Sequence, residues 1–197
     1  KFDSELVLEL IKQNASLQQQ LIANNSQNTI TNNTNNTNNT NNTMNNSHNT
    51  VNNKFNINVF LNEQCKDAIN FTEFINGISI SHEDLENNAQ LGFVNGITKI
   101  ISDNLNQLTL YERPLHCTDV KRETLYIKDE DAWNKEKEKA KDKIFKGIQE
   151  LSRKSIGELL LWKQENPEYD DINSEFSNKC VVIQKESISG HDKTKNF

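Results

Sequence analysis

The chain has 197 residues, with 22 Lys and Arg against 28 Asp and Glu, for a net charge of -6. That length suits one modest domain with extensions, and the acidic balance argues against a chain-wide electrostatic grip on nucleic acid or an anionic membrane. Hydrophobic residues make up 34%, below the about 45–50% of ordinary globular chains, and no apolar run approaches the roughly 20 residues that cross a bilayer.

The apolar deficit is concentrated in residues 23–53, so the remainder can still build a core. Cys65, Cys117 and Cys180 are far apart and odd in number, without a CxxC or other close ligand pair. A zinc site within the chain is therefore not expected, no metal or cofactor is assigned, and a reducing, intracellular setting is the simpler reading. No signal peptide is visible. Lys1 rather than Met opens the sequence, so a fragment or processed product is expected. Sequons such as Asn32-Asn33-Thr34 and Asn70-Phe71-Thr72 recur, but an Asn/Thr-rich chain generates them automatically, and they are weak evidence for secretion.

"FDSELVLELIKQNASLQQQLIANN" reads as a helix, with Asp3 or Ser4 able to cap its start. Val7, Asn14 and Leu21 at heptad position a place Leu10 and Leu17 at d, a short seam suited to a parallel coiled coil. Asn14 costs stability in that seam but penalises slipped registers. So short a seam is marginal alone and needs further contacts. The competing reading is an amphipathic helix packed on its own domain, which the polar tract that follows makes awkward. Dimer and trimer both remain compatible with the seam.

In the next stretch threonine recurs at Thr31, Thr34, Thr37, Thr40 and Thr43. A low-complexity linker, too polar to offset chain entropy, is one reading. The alternative is an ordered stalk. A three-residue period matches an extended left-handed helix, whose bundled strands could bury Thr methyls and pair Asn amides. The reading adopted is the stalk, carried forward in register by the coiled coil. His48 falls in or beside it, where a ring of His48 side chains from several chains could hold a metal.

The globular part begins with "FNINVF", whose alternation of Phe55, Ile57 and Val59 predicts a strand. A helix is expected around "CKDAINFTEFINGI", with Ala68, Ile69, Phe71, Phe74, Ile75 and Ile78 as its apolar positions. Ser81 and Asp84 form a capping-box pattern and Gly92 a stop; beyond it Phe93, Ile97, Ile100, Ile101, Leu105 and Leu108 share a helical face. "PLHCTD" and "ETLYIKDEDAW" predict two short strands, a hairpin ending in an acidic turn. A helix is expected from Trp133 to about Leu151, its "NKEKEKAKDK" run a solvated face and Ile144, Phe145, Ile148 and Leu151 its buried one. Ser155 and Glu158 are expected to cap a separate short helix through Trp162, and "EFSNKCVVIQKESI" predicts a last one.

These elements give an α+β, mostly α class: a coiled-coil helix over residues 1–26, a stalk or linker over 27–54, a C-terminal α+β domain over 55–189 and a polar tail over 190–197. The densest functional chemistry is "RPLHCTDVKRE". Arg113, His116, Asp119, Lys121 and Arg122 are its candidate binding residues, for phosphate or a protein partner. Cys117 would need a base in contact, but neighbours on a strand point to opposite faces, so His116 cannot serve it locally. Asp119 and Glu123 could bind a metal and Lys121 assist phosphodiester cleavage, yet no nuclease spacing fixes their geometry. Bland roles cover each: a core thiol, turn hydrogen bonds, surface ion pairs. No catalytic residue is assigned.

The order of parts, from the leucine-rich helix through Asn/Thr repeats with "NSHNT", then "NINVFLNEQCKDAINFTEFI", "GFVNGITKII" and "ERPLHCTDVKRETLYIKDEDAW", resembles proteins encoded by large DNA viruses of protists. The resemblance spans nearly the whole chain and implies architecture rather than a mechanism. Such proteins often carry a zinc-finger-like segment ahead of the coiled coil, and this sequence has no Cys and His at finger spacing. The leading expectation is an oligomerising viral structural or scaffolding protein. Its partners would be its own copies and other proteins, capsid or genome-associated, in the virion or infected cell. The alternative is a DNA-associated regulator whose finger lies upstream and for which this region supplies dimerisation; a metal-dependent nuclease using His116, Asp119 and Glu123 ranks below both.

Overall fold

The computed structural model describes residues 56–119, 124–135 and 137–188. The seam residues Val7, Leu10, Asn14, Leu17 and Leu21 and the stalk threonines Thr31, Thr34, Thr37, Thr40 and Thr43 lie outside them, as do His48, Lys121, Arg122 and Glu123.

The described chain opens with a helical turn, α1 (Ile57–Val59), that widens into a π-helical turn over Phe60–Gln64. The predicted strand is absent here, and local chemistry explains why. The Asn56 side chain accepts from the backbone N–H of Asn58 at 3.0 Å and Val59 at 3.4 Å, which is how asparagine starts a helix. Val59, Phe60 and Leu61 also form a continuous apolar run that alternation cannot place on one face; Phe60 and Leu61 are buried while Val59 is exposed.

Helix α2 (Phe71–Gly77) starts later than the sequence pattern suggests, because the Glu73 carboxylate accepts from Asn70 N and fixes the entry there. Helix α3 (His82–Asn106) begins at the expected capping box, with Asp84 N donating to Ser81 Oγ and Ser81 N to Asp84. Gly92, at φ 77 and ψ 165, breaks it into two segments, a backbone state only glycine adopts freely. Phe93 N, released by that break, donates to Glu186 Oε2 of the last helix at 3.3 Å.

Strands β1 (Leu115–Asp119), β2 (Thr124–Asp129) and β3 (Ala132–Asn134) form an antiparallel sheet in the order β1-β2-β3. Leu115 lies opposite Ile127, His116 opposite Tyr126 and Cys117 opposite Leu125, with an irregularity before Asp119 meets Thr124. The acidic turn is the two-residue connection Glu130–Asp131, both at positive φ as a tight hairpin requires. That turn sends the chain back as β3, so Trp133 sits in a strand rather than opening the next helix.

Helix α4 (Lys137–Glu165) runs without interruption through the region expected to divide at Ser155. Ser155 is buried and its hydroxyl donates to Leu151 O one turn back at 3.0 Å, so it joins the helix interior instead of capping a new one. A 3-10 turn (Pro167–Asp170) leads to α5 (Glu175–Ile188), the last helix among the described residues.

Period-two alternation sends the sheet's side chains to two cores. Leu115, Cys117, Leu125 and Ile127 pack with Phe71, Ile75, Ile97, Ile101, Ile144 and Leu151 under the helices. On the other face Tyr126 joins Phe60, Leu61, Cys65, Ala68 and Leu110. The main core also demands a close approach within α3. A Cβ on Gly96 would stand 1.8 Å from Asn88 Oδ1 and 2.9 Å from Asn88 Cα. The first contact could turn away, the second involves backbone. Gly96→Ala is therefore expected to lower stability by about 1–3 kcal/mol despite alanine's better helix propensity, seen as an earlier urea midpoint; an unchanged midpoint would show that the two halves of α3 are not packed this tightly.

Candidate functional site

Arg113 and His116 are brought together, but inside the protein. Arg113 is 4% exposed; its Nε donates to Leu108 O at 3.4 Å, and its Nη1 has no hydrogen-bond partner among the described residues. His116 is wholly buried, edge-on to the Phe60 ring at 5.2 Å and tilted against Trp133 at 5.4 Å. Cys117, its neighbour in sequence, faces the opposite core, as strand geometry requires. The thiol His116 meets is Cys65, with Sγ 3.6 Å from Nε2. Asp119 closes β1.

A buried Cys-His pair invites comparison with a nucleophile and its base, and the electrostatics decide otherwise. Burial pushes the Cys65 thiol up to about 11, against the pull of Lys128, and burial together with the Arg113 charge pushes His116 down to about 4. Both groups are neutral near pH 7, the reverse of an activated thiolate-imidazolium pair. Cys180 is likewise raised by burial. Lys128 is turned inward too, its Nζ donating to Lys66 O at 2.5 Å and Ala68 O at 2.7 Å. These side chains hold the α1 segment and the loop before α2 onto the sheet.

The accessible polar ground lies on the other side of β2, in a cleft between α2, the Glu130–Asp131 turn and α4, with a volume of about 350 Å³. Asp129 anchors it. The carboxylate accepts from Thr72 N and Thr72 Oγ1, each at 3.2 Å, and pairs with Lys143 of α4. Burial alone would raise the Asp129 carboxyl. The Lys143 ammonium and the two Thr72 donors outweigh it and hold the group below its ordinary value. Lys143 is correspondingly raised, its bond to Asp129 prevailing over burial.

Asn70 and Thr72, which the sequence presents as a sequon, are both engaged here, Thr72 by Asp129 at the end of β2 and Asn70 by the acidic turn beyond it. Asp131 N donates to Asn70 Oδ1 at 2.9 Å, and Asn70 Nδ2 donates to Asp131 Oδ1 at 3.1 Å. Those two bonds offset the left-handed backbone of Glu130 and Asp131, which costs on the order of 1 kcal/mol per residue outside glycine. The result is a fixed turn that leaves the Glu130 carboxylate 89% exposed above the cleft. Residues 70–72 and 129–131 are too far apart in sequence for any local pattern to announce the site; the acidic turn was the one visible part of it.

Among the described residues no group of three or more His, Cys, Asp and Glu is arranged to hold a metal ion, and no described helix is long and apolar enough to cross a membrane. No family model, curated protein or solved structure matches the chain.

Two measurements follow from this geometry. The unfolded His116 ring protonates below its ordinary 6.5 and the native ring only near 4. Stability from the neutral ring is thus complete above pH 6.5 and is lost as pH falls towards 4, about 3 kcal/mol in all. His116→Leu should flatten the urea stability profile between those pH values, and an unchanged slope would mean that the native ring titrates normally. Since Cys65, Cys117 and Cys180 are all buried, a chromogenic thiol reagent should leave the native protein essentially unlabelled and count three thiols in denaturant. Rapid labelling of a native thiol would contradict this packing.

Proposed function

We propose that the chain is an oligomerising structural or scaffolding protein of the giant-virus type, in which an N-terminal leucine seam gathers copies and the C-terminal domain is presented to a protein partner in the virion or infected cell. The observation that carries this reading is the disposition of polar chemistry in the described domain. His116, Cys65, Arg113 and Lys128 are consumed in holding segments together, whereas the open cleft bounded by Thr72, Asp129 and Lys143 exposes a mixed-charge, partly apolar surface of the kind that binds. The sequence pattern at Val7, Leu10, Asn14, Leu17 and Leu21 supplies the self-association, and a gathered set of domains would bind multivalently, amplifying individually weak contacts.

Light scattering coupled to size exclusion tests the assembly. The full chain should have the mass of a dimer or trimer of its 22.7 kDa unit, and a version starting at Phe55 should be monomeric. A monomeric full chain at concentrations of about 100 μM would sink the proposal, because a seam too weak to assemble there cannot organise a scaffold.

A further inference from the structure

The second half of α4 is two-faced along four-residue rows. Leu151, Ser155 and Leu159 are buried against the fold, whereas Arg153, Gly157, Leu161 and Glu165 form a row on the outer side, all four exposed. Leu161 is 54% exposed, and Leu160 beside it 53%. A Cβ on Gly157 would meet nothing within 4 Å, and its φ is not positive, so neither crowding nor backbone conformation calls for glycine there. Glycine is nevertheless the poorest helix former after proline, a cost that no contact among the described residues explains. Glu165 ends the helix, where the dipole disfavours a carboxylate and favours a cation beside it. Arg153 pairs with Glu150 yet keeps 73% of its side chain exposed, with further guanidinium N–H groups to donate. The row thus runs cation, notch, knob, anion.

We infer that this row docks against the same row of a second copy of the chain, laid antiparallel about a twofold axis, with Leu161 of each copy entering the notch at Gly157 of the other. The inference rests on the scaffold reading above and adds a second contact between the copies that the leucine seam gathers. Reversed, the order cation, notch, knob, anion is its own complement: Arg153 meets Glu165 of the partner copy at one end, and Glu165 meets the partner copy's Arg153 at the other. A parallel arrangement would set Arg153 on Arg153 and Glu165 on Glu165, like charges together. Rows of four-residue step align when two helices cross at about 50°, and the missing Cβ lets the backbones approach at the crossing. Two half-exposed leucines per copy fall far short of the about 1,000 Å² of a stable interface. A lone domain therefore stays monomeric, and the contact forms between domains already held at an effective concentration of about 1 mM.

The test is cross-linking of the full chain with a short, rigid bis-maleimide, which the buried native thiols should not consume. The double variant Arg153→Cys/Glu165→Cys should give a covalent dimer about 10-fold faster than either single variant. Within one helix the two positions stand about 18 Å apart, beyond the reagent's span, and in each single variant the two copies of the substituted position lie about as far apart across the twofold. Adding Gly157→Leu separates docking from folding. The open space at Gly157 accepts the side chain and leucine favours the helix, so the urea midpoint should rise, while the filled notch should cut the cross-linking rate of the double variant about 10-fold. Equal rates in the single and double variants, or a rate unchanged by Gly157→Leu, would each overturn the docking. The mass of the untreated samples is read separately, and the rates are compared whichever mass is found. An oligomer without the preferred cross-link removes this contact alone, while a monomer removes the scaffold.

Discussion

Both faces of a small sheet must be kept from water, and most of the described fold can be traced to that demand. Strand β2 is buried along Leu125–Asp129, so it needs cover above and below. Helices α2, α3 and α4 provide one layer through Phe71, Ile97 and Ile144; the α1 segment and Leu110 provide the other. Sheets with one solvated face show clean polar alternation, and this one cannot. A helical turn at Ile57–Gln64, which looks incidental in the chain order, is therefore a structural lid on the sheet.

Closing that second layer forces polar groups inside, and Lys128 and His116 are accommodated by specific devices. Lys128 reaches two backbone carbonyls of the Lys66–Ala68 loop, and His116 stays neutral between aromatic rings and the Cys65 thiol. Such contacts are costly to break because the survivor is left unpaired in a dry environment. On the opposite side of β2, Asp129 reaches outward to α2 and α4 together through Thr72 and Lys143. One strand thus carries an inward lysine and a carboxylate beside it that tie separate elements to the sheet.

How much of this was legible depended on the distance over which the controlling interaction acts. The hairpin strands were visible because Leu115-His116-Cys117 and Leu125-Tyr126-Ile127 carry apolar residues in short β-prone runs, and the last helix because its apolar positions recur at helical spacing. The Ser81–Asp84 cap acts within a single turn and was equally plain. Ser155 misled because a serine followed three residues later by glutamate looks the same whether it caps a helix or bonds back to Leu151 inside one. "FNINVF" misled because the Asn56 cap competes with a six-residue alternation too short to settle the matter. The site was least legible. Cys65 with His116, and Asn70 and Thr72 with Asp131 and Asp129, join residues more than 50 positions apart, and nothing in either segment names the other. The Arg113–His116 stretch looked functional because it is rich in chemistry; that chemistry faces inward.

The break at Gly92 has a consequence for how the helical layer comes apart. Glu186, close to the end of α5, holds the first amide of the second segment of α3, so an interior point of one helix is tied to the far end of another. Fraying that begins at the C-terminal turn of α5 would be communicated at once to the middle of α3, and backbone hydrogen exchange at Phe93 would report on a helix ninety residues downstream.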